Sequence, residues 1–136
     1  MSGKLNFSLV SPERELFSGA VDQVVVPGDE GDFGVLPGHA PFMSTVRAAA
    51  LVVHDGDSRR RVFVRGGFAE VGPDGLTVLA EEAIDVTDLD AATLEQALRD
   101  AQEDLRDAED DDHRRRAEIA VARAEAMLAA LSATGY

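Results

Sequence analysis

The chain has 136 residues, a length that suits one domain or one domain with a small appendage. It carries 26 Asp and Glu against 13 Lys and Arg, and the formal net charge of −13 argues against nucleic-acid backbones and anionic lipid surfaces as partners. The absence of Cys excludes disulfides, an iron–sulfur cluster, a thiolate zinc site and a cysteine nucleophile, and no apolar run approaches the roughly 20 residues of a membrane span.

The amino-acid composition changes sharply near residue 86. Residues 1–86 hold 11 of the 12 Gly and all the Pro and Phe, whereas residues 87–136 hold 13 Ala and no Pro. We therefore predict two domains, at 1–86 and 87–136. The opening segment MSGKLNFSLV lacks the uninterrupted apolar core of a signal peptide, so we expect a soluble protein that works where it is made.

The pattern of the first part predicts short strands separated by turns. Leu5, Phe7 and Leu9 alternate with polar residues, which predicts one half-buried strand that ends near Pro12. Further apolar runs are VDQVVV, FGVL, MSTV, ALVVH, RRVFV, FAEV and LTVLA. The segments between them are rich in Gly and Pro, and the best hairpin tips are at Asp55/Gly56 and Asp74/Gly75. This pattern predicts an antiparallel sandwich or barrel.

The pattern of the second part predicts an antiparallel pair of helices. Apolar or small residues recur at steps of three and four, which places them on one face of each helix. They are Leu94, Leu98, Ala101, Leu105 and Ala108 in the first helix, and Ala117, Ala120, Ala124, Met127 or Leu128, and Leu131 in the second. Asp88 or Asp90 is expected to cap the first helix. Because Ala buries little area, the hairpin should be marginally stable alone and should dock on the sandwich or on another protein.

Candidate catalytic and metal-binding residues are few. His39, His54 and His113 have no spacing that would bring two ligands together, so we predict no metal site. His39 lies in a loop fixed by two prolines, where it either bonds its own backbone or contacts a partner. Motifs for nucleotide binding or a serine nucleophile are absent, and we predict no catalytic residue and no cofactor.

Five segments together resemble one known family. They are VSPE at 10–13, LFSG at 16–19, VPGDEGDFGVLPGHAPF at 26–42, VRGGFAEV at 64–71 and LTVLAEEA at 76–83. This signature resembles the epsilon subunit of bacterial and chloroplast ATP synthase, whose mitochondrial counterpart is the delta subunit. The resemblance extends over the whole sequence. It implies an N-terminal antiparallel β-sandwich of about ten strands followed by a C-terminal two-helix hairpin.

The resemblance also implies a function without catalysis. Members of the family are rotor subunits that bind the gamma subunit, sit on the ring of c subunits and couple ring rotation to ATP synthesis. By similarity, Asp32, Phe33, Gly34, Val35 and His39 should contact the c ring, and a face of the sandwich should contact gamma. The C-terminal helices are expected to reach the alpha and beta subunits, where family members restrain ATP hydrolysis. Because no transit peptide precedes the signature, we expect a bacterial protein held peripherally, through its partners, at the cytoplasmic face of the inner membrane.

One family motif is incomplete in this sequence. Some members bind ATP through Ile or Leu, Asp, two variable residues, Arg and Ala, and the matching stretch here is LDAATL at 89–94. Asp90 is kept, but Thr93 stands in place of the arginine; Arg116 and Arg123 are at plausible matching places in the second helix. Losing one charge-assisted phosphate donor weakens an anion site about ten- to a hundredfold, so we expect no regulatory ATP binding.

Two interpretations from other classes compete with a rotor subunit. The first is a ligand- or carbohydrate-binding β-sandwich with a helical oligomerisation hairpin. Sugar sites usually expose aromatic platforms, and this sequence has no Trp and only Tyr136 besides its Phe residues. The second is a hydrolase that uses His39 with an acid such as Asp32, which would need a nucleophile or metal beside them.

Overall fold

The computed structural model describes residues 3–133, in which ten strands are followed by two helices. Tyr136 lies outside the described residues. The strands are β1 (Leu5–Ser11), β2 (Arg14–Val21), β3 (Gln23–Gly28), β4 (Gly31–Val35), β5 (Phe42–Thr45), β6 (Ala49–Asp55), β7 (Ser58–Arg65), β8 (Phe68–Gly72), β9 (Gly75–Leu79) and β10 (Glu82–Asp85). A short 3₁₀ turn (Val86–Asp88) leads to helices α1 (Ala91–Arg106) and α2 (Asp111–Ser132).

The strands form two five-stranded sheets. The first sheet has the order β2-β1-β9-β8-β5, and the second has the order β10-β7-β6-β3-β4. All neighbouring strands are antiparallel except β1 and β9, which run parallel with Phe7 opposite Leu76. The fold is therefore a sandwich, as predicted, but it is not purely antiparallel. The parallel pair arises because the late hairpin β8–β9 inserts its second strand beside the first strand of the protein.

The core lies between the two sheets. The alternating face predicted for the first strand is confirmed, since Leu5, Phe7 and Leu9 are all buried. Other residues that fill this core are Val21, Val24, Val26, Val35, Leu51, Val53, Val62, Val64, Val71, Leu76 and Val78. Large β-branched side chains fit the pleated surface well, so two such faces close over each other without polar groups inside.

Two glycines allow the backbone to turn where the strands meet. Gly67 lies between β7 of the second sheet and β8 of the first, and it has φ of 91°. A Cβ at this position would lie 1.7 Å from the carbonyl oxygen of Leu79. Gly75 follows the predicted Asp74 turn with φ of 130°, and a Cβ there would lie 2.2 Å from the carbonyl oxygen of Asn6. Only glycine fits such backbone approaches.

Both helices begin at an aspartate cap. Asp90 accepts a hydrogen bond from the backbone N–H of Thr93, which selects it over Asp88, and Asp110 accepts one from His113. The inner face of α2 differs from the prediction at one position. Ala120 is exposed, and Val121 takes the half-buried place instead, because a step of four after Ala117 keeps closer to 3.6 residues per turn.

The helical hairpin docks on the outer face of the second sheet. Phe63 of β7 is fully buried, although its neighbours Val62 and Val64 point into the sandwich core. It is covered by Leu94 of α1 and Met127 of α2. Further side chains of this interface are Ala48, Ala50, Ile84, Val86, Leu89, Ala126, Leu128, Ala130 and Leu131. The continuous apolar run VFV is thus explained by a strand that is covered on both faces.

Candidate functional site

The residues predicted to contact the c ring lie where the two sheets meet at one edge. Strand β4 is the last strand of the second sheet, and β5 is the last strand of the first. The loop of residues 36–41 joins them, so it crosses from one sheet to the other. We call residues 29–45 the β4–β5 edge. Asp32, Phe33, Gly34 and Val35 all belong to β4, and His39 belongs to the loop.

Two of the five predicted contact residues do not present a side chain to a partner. Val35 is fully buried in the sandwich core, opposite Val24 of β3. Gly34 faces the other way, and the Nε2 atom of Gln23 lies 2.7 Å from where its Cβ would be. Strand alternation turns the side chain of residue 35 inward and leaves Gly34 exposed, and the c-ring contact stays a prediction at both positions. The exposed neighbour of Val35 is Leu36.

The other three residues lie in a polar and aromatic cluster. Asp32 accepts a hydrogen bond from Arg47, which also donates to the carbonyl oxygen of Gly28 at 2.7 Å. The ring of Phe33 meets the ring of Phe42 edge to face, with centroids 5.0 Å apart. The imidazole of His39 lies 6.5 Å from the ring of Phe42, measured between centroids. These contacts hold the side chains of the edge against one another.

The structure also settles the position of the His39 imidazole. Its Nδ1 atom lies 2.6 Å from the carbonyl oxygen of Ala40, so it bonds its own loop, which is one of the two interpretations of the sequence. Asp32 is bonded to Arg47 and not to this ring. The pair required for a hydrolase is therefore not assembled. Within residues 3–133 no group of three or more His, Asp or Glu is placed to hold a metal ion.

Sequence reasoning missed the most exposed apolar side chains of this edge. Leu36, Phe42 and Met43 have exposed fractions of 54, 47 and 60%. An open cleft of about 520 Å³ beside them is lined by Asp29, Glu30, Asp32, Phe33, Phe42 and Met43, among others. Their positions in LPGHAPFM give no period that marks a face, so exposure became visible only in the fold. An apolar surface with an acidic border is typical of a protein contact.

A second apolar surface lies on the outer face of the first sheet. Phe68 of β8 and Leu79 of β9 are cross-strand neighbours, and both are more than one third exposed. An open pocket of about 300 Å³ beside them is also lined by Val10 and Pro12. We call these four residues the first-sheet patch. The equivalent face of the second sheet is covered by the hairpin, so the patch is on the sandwich face that the hairpin leaves open.

Two of the three residues at plausible nucleotide-binding places, Asp90 and Arg123, have other partners in this structure. Asp90 accepts hydrogen bonds from the backbone N–H and the Oγ1 atom of Thr93, at 2.9 and 2.7 Å, and these bonds lower the pKa of its carboxyl group. Arg123 donates hydrogen bonds to both carboxylate oxygens of Glu82, one from Nε and one from Nη2 of its guanidinium. Arg116 is exposed and lies seven residues before Arg123, about 10 Å along the helix axis.

Glu82 is a further residue that sequence reasoning missed. Its carboxylate accepts from Arg123 Nε of α2 at 2.9 Å and from Arg65 Nε of β7 at 3.0 Å. The hydrogen bond from Arg123 and then that from Arg65 hold the pKa of Glu82 below its usual value, against the opposing effect of partial burial. Because Arg123 is 41 positions away, no local spacing could have found this contact.

Among the described residues, no helix has the length and apolar character needed to cross a membrane. Helix α2, the longest, carries acids and arginines throughout its first half.

Comparison with known proteins matches both parts of the sequence to one family. Residues 4–86 match the beta-sandwich domain of the ATP synthase Delta/Epsilon chain, and residues 90–136 match the C-terminal domain of the ATP synthase epsilon chain. The ATP synthase epsilon chain of Maricaulis maris is 58% identical over 129 residues, which span 95% of this protein and 97% of the relative. That of Rhodospirillum rubrum is 47% identical over 131 residues, spanning 96 and 98%.

Solved structures show the same fold. A subunit in the cryo-EM structure of the Euglena gracilis mitochondrial ATP synthase, OSCP/F1/c-ring, superposes with a TM-score of 0.84 at 25% identity, over 96% of this protein and 83% of that subunit. A subunit of the Tetrahymena thermophila mitochondrial ATP synthase central stalk/c-ring has the fold at a TM-score of 0.65 and 11% identity, over 96 and 98%. With both domains matched and full-length relatives close to 50% identity or above, the chain belongs to the family of ATP synthase epsilon chains.

Proposed function

We propose that this protein is a non-catalytic rotor subunit of a proton-translocating rotary ATP synthase, which couples rotation of the c ring to ATP synthesis through the gamma subunit. The observation that carries the proposal is the match along the whole sequence, to epsilon chains in sequence and to a subunit of an F1/c-ring assembly in fold. The carbohydrate-binding alternative is not favoured, since those relatives are all epsilon chains.

The β4–β5 edge is our candidate for the c-ring contact. It presents Phe42 and Met43 beside the acidic residues Asp29 and Glu30, and it also exposes Leu36. Ring contacts and the Arg47–Asp32 ion pair stiffen its base, so little conformational entropy is lost when a partner binds. A rigid contact suits a part that must transmit torque rather than deform.

The first-sheet patch is our candidate for the gamma contact. Of the two outer faces of the sandwich, the hairpin covers the one that carries Phe63. Phe68 and Leu79 on the other face remain open to a partner. The two proposed surfaces lie on different parts of the sandwich, so both partners can be held at once. In this arrangement the subunit is peripheral at the cytoplasmic face of the bacterial inner membrane and reaches it only through the complex.

The hairpin is our candidate for a regulatory part. When released from the second sheet it would reach the alpha and beta subunits and restrain ATP hydrolysis. Its docked form, packed on Phe63, leaves those subunits free. Asp90, Arg116 and Arg123 form no ATP site in this proposal, because Thr93 replaces the motif arginine and Arg123 is bonded to Glu82.

The experiment that tests the proposal is binding to a subcomplex of gamma with the c ring, using variants of each surface. We expect Met43→Asp to weaken attachment to the ring and Leu79→Asp to weaken binding to isolated gamma. Ile119→Asp is the matched control, because the exposure of Ile119 lies between those of Leu79 and Met43 but its side chain is on the outside of α2. Normal binding by the two surface variants would assign the contacts elsewhere, and failure of the unaltered protein to bind gamma would refute the proposed function.

The hairpin is tested separately by ATP hydrolysis. The catalytic sector with gamma is assembled with the full-length protein or with a version that ends at Asp85. Faster hydrolysis with the shorter version, at equal occupancy, is the result expected of a brake. Equal rates would mean that the sandwich couples and the helices regulate little.

A further inference from the structure

The docked hairpin is joined to the sandwich by a charged cluster as well as by apolar contacts. The cluster consists of Glu82 on β10, Arg65 on β7 and Arg123 on α2. Glu82 accepts from both arginines, so one carboxylate binds the sheet on one side and the helix on the other. All three side chains are partly buried, with exposed fractions between 20 and 42%.

The apolar part of the interface fixes the position of α2 weakly. Apart from Met127, Leu128 and Leu131, the side chains that α2 places on the sheet are Ala126 and Ala130. Alanine methyl groups bury little area and are alike, so neighbouring registers of the helix on the sheet differ little in energy. A bidentate bond between a guanidinium and a carboxylate is directional and is satisfied in only one position.

Two other arginines of α2 form ion pairs, and their partners lie within the helix. Arg114 pairs with Asp111 and Arg115 pairs with Asp112, each within the helix and each on its exposed surface. Arg123 instead crosses to the sandwich, and its bond to Glu82 raises the pKa of its guanidinium further. In a protein with twice as many acids as basic residues, a guanidinium held at this position also offsets repulsion between the two parts.

We propose that Glu82 is the latch of the hairpin: its bond to Arg123 fixes the position of α2 on the second sheet, and breaking that bond makes release of the hairpin easier. Arg65 orients the Glu82 carboxylate from the sandwich side. The latch works without a nucleotide, because the protein supplies its own anion where a phosphate would otherwise bind Arg123. The latch is a property of the isolated protein, and only its effect on ATP hydrolysis rests on the proposed function.

The test is amide hydrogen exchange of the isolated full-length protein. We expect Glu82→Gln and Arg123→Gln each to raise the exchange rates of the α1 and α2 amides about three- to tenfold, the effect of a partly buried bidentate pair. The double variant should exchange no faster than the faster single variant, because both changes remove the same bond.

Two control variants separate the latch from a general loss of charge. Arg60→Gln removes the neighbouring ion pair with Asp85, which lies within the sandwich. Arg115→Gln removes one positive charge from the exposed surface of α2. Both should change hairpin exchange by less than about twofold. Equal effects of latch and control variants, or multiplicative effects in the double variant, would overturn the proposal.

A further variant keeps the test decisive if Glu82→Gln disturbs β10 itself. Arg123→Lys retains the charge but loses the planar fork, and it leaves the sandwich unchanged. Faster exchange in the hairpin with unchanged exchange in β10 supports the latch, and unchanged exchange in both contradicts it. Gamma binding plays no part in this measurement, so its result is independent of whether the rotor function holds.

Discussion

The sandwich and the hairpin of this protein are stabilised in different ways. The sandwich closes two faces of Val, Leu and Phe over each other, and most of these side chains are fully buried. The hairpin buries mainly Ala along α2 and depends on Phe63 of the sheet for its cover. Helices in proteins gain most of their stability from tertiary packing of an apolar face rather than from helix propensity. One part is therefore a rigid body, whereas the other is held by a limited set of removable contacts.

The largest expected effect tests the rigidity of the sandwich. Phe7→Ala removes a fully buried ring from the core and should lower the free energy of unfolding by about 3 to 5 kcal/mol, because the surrounding strands cannot collapse into the space. The measurement is urea unfolding followed by circular dichroism. Phe68→Ala on the first-sheet patch is the control and should cost less than about 1 kcal/mol, since its ring is more than one third exposed. Similar losses in the two variants would mean that the core is looser than described.

The next effect tests how far the docking of the hairpin depends on its contact with Phe63. Met127→Ala removes the buried side chain that packs over Phe63 and should cost about 2 to 4 kcal/mol of docking free energy. We expect the weaker docking to appear as faster hydrogen exchange of the α1 and α2 amides, while the exchange of the β6 and β9 amides stays unchanged. Met43→Ala is the control, because this methionine is exposed. Faster exchange in both parts at once would contradict the division into a rigid and a removable part.

A smaller effect concerns pH. The pKa of Glu82 is lowered in the folded protein from its ordinary value of 4.5, chiefly by the hydrogen bond from Arg123. The pair therefore contributes its full stability only well above pH 4.5 and loses it as the pH falls through the lower folded value. We expect the difference in unfolding free energy between the unaltered protein and Glu82→Gln to shrink between about pH 6 and pH 3, by up to about 1 kcal/mol. A constant difference over this range would mean that Glu82 does not act through its charge.

The smallest expected effect is that of ATP. Addition of millimolar ATP should leave the exchange of the hairpin unchanged, because Asp90 is bonded to Thr93 and Arg123 to Glu82. Thr93→Arg, which restores the motif arginine, is the matched comparison and should respond more than the unaltered protein. Clear protection of the unaltered protein by ATP would show that the nucleotide competes successfully with Glu82.

Local patterns in the sequence predict those parts of the fold that depend on near neighbours. Alternation at Leu5, Phe7 and Leu9 identifies a core face, and aspartate followed by a helical period identifies the cap at Asp90. The predicted fold class and family are both confirmed. The predicted place of Ala120 is wrong by one position, since alanine marks an inner face poorly.

Contacts between distant residues could not be predicted in this way. The parallel pairing of β1 with β9 joins residues 69 positions apart, Phe7 and Leu76, and no local period reports it. Glu82 is one of 26 acids, and spacing does not tell which of them meets Arg123. The resemblance assigns Val35 to a contact surface as part of a motif, whereas strand alternation places its side chain in the core.

The parallel pairing of β1 has a consequence for synthesis on the ribosome. The first strand bonds β2 as soon as both have emerged, but its other edge stays open until β9, through Leu79, has left the exit tunnel. At a translation rate of about 5 to 20 residues per second, this interval lasts roughly 3 to 12 s. During that time a strand with three large apolar side chains lacks its neighbour, so the nascent protein is most exposed to aggregation before the helices are made.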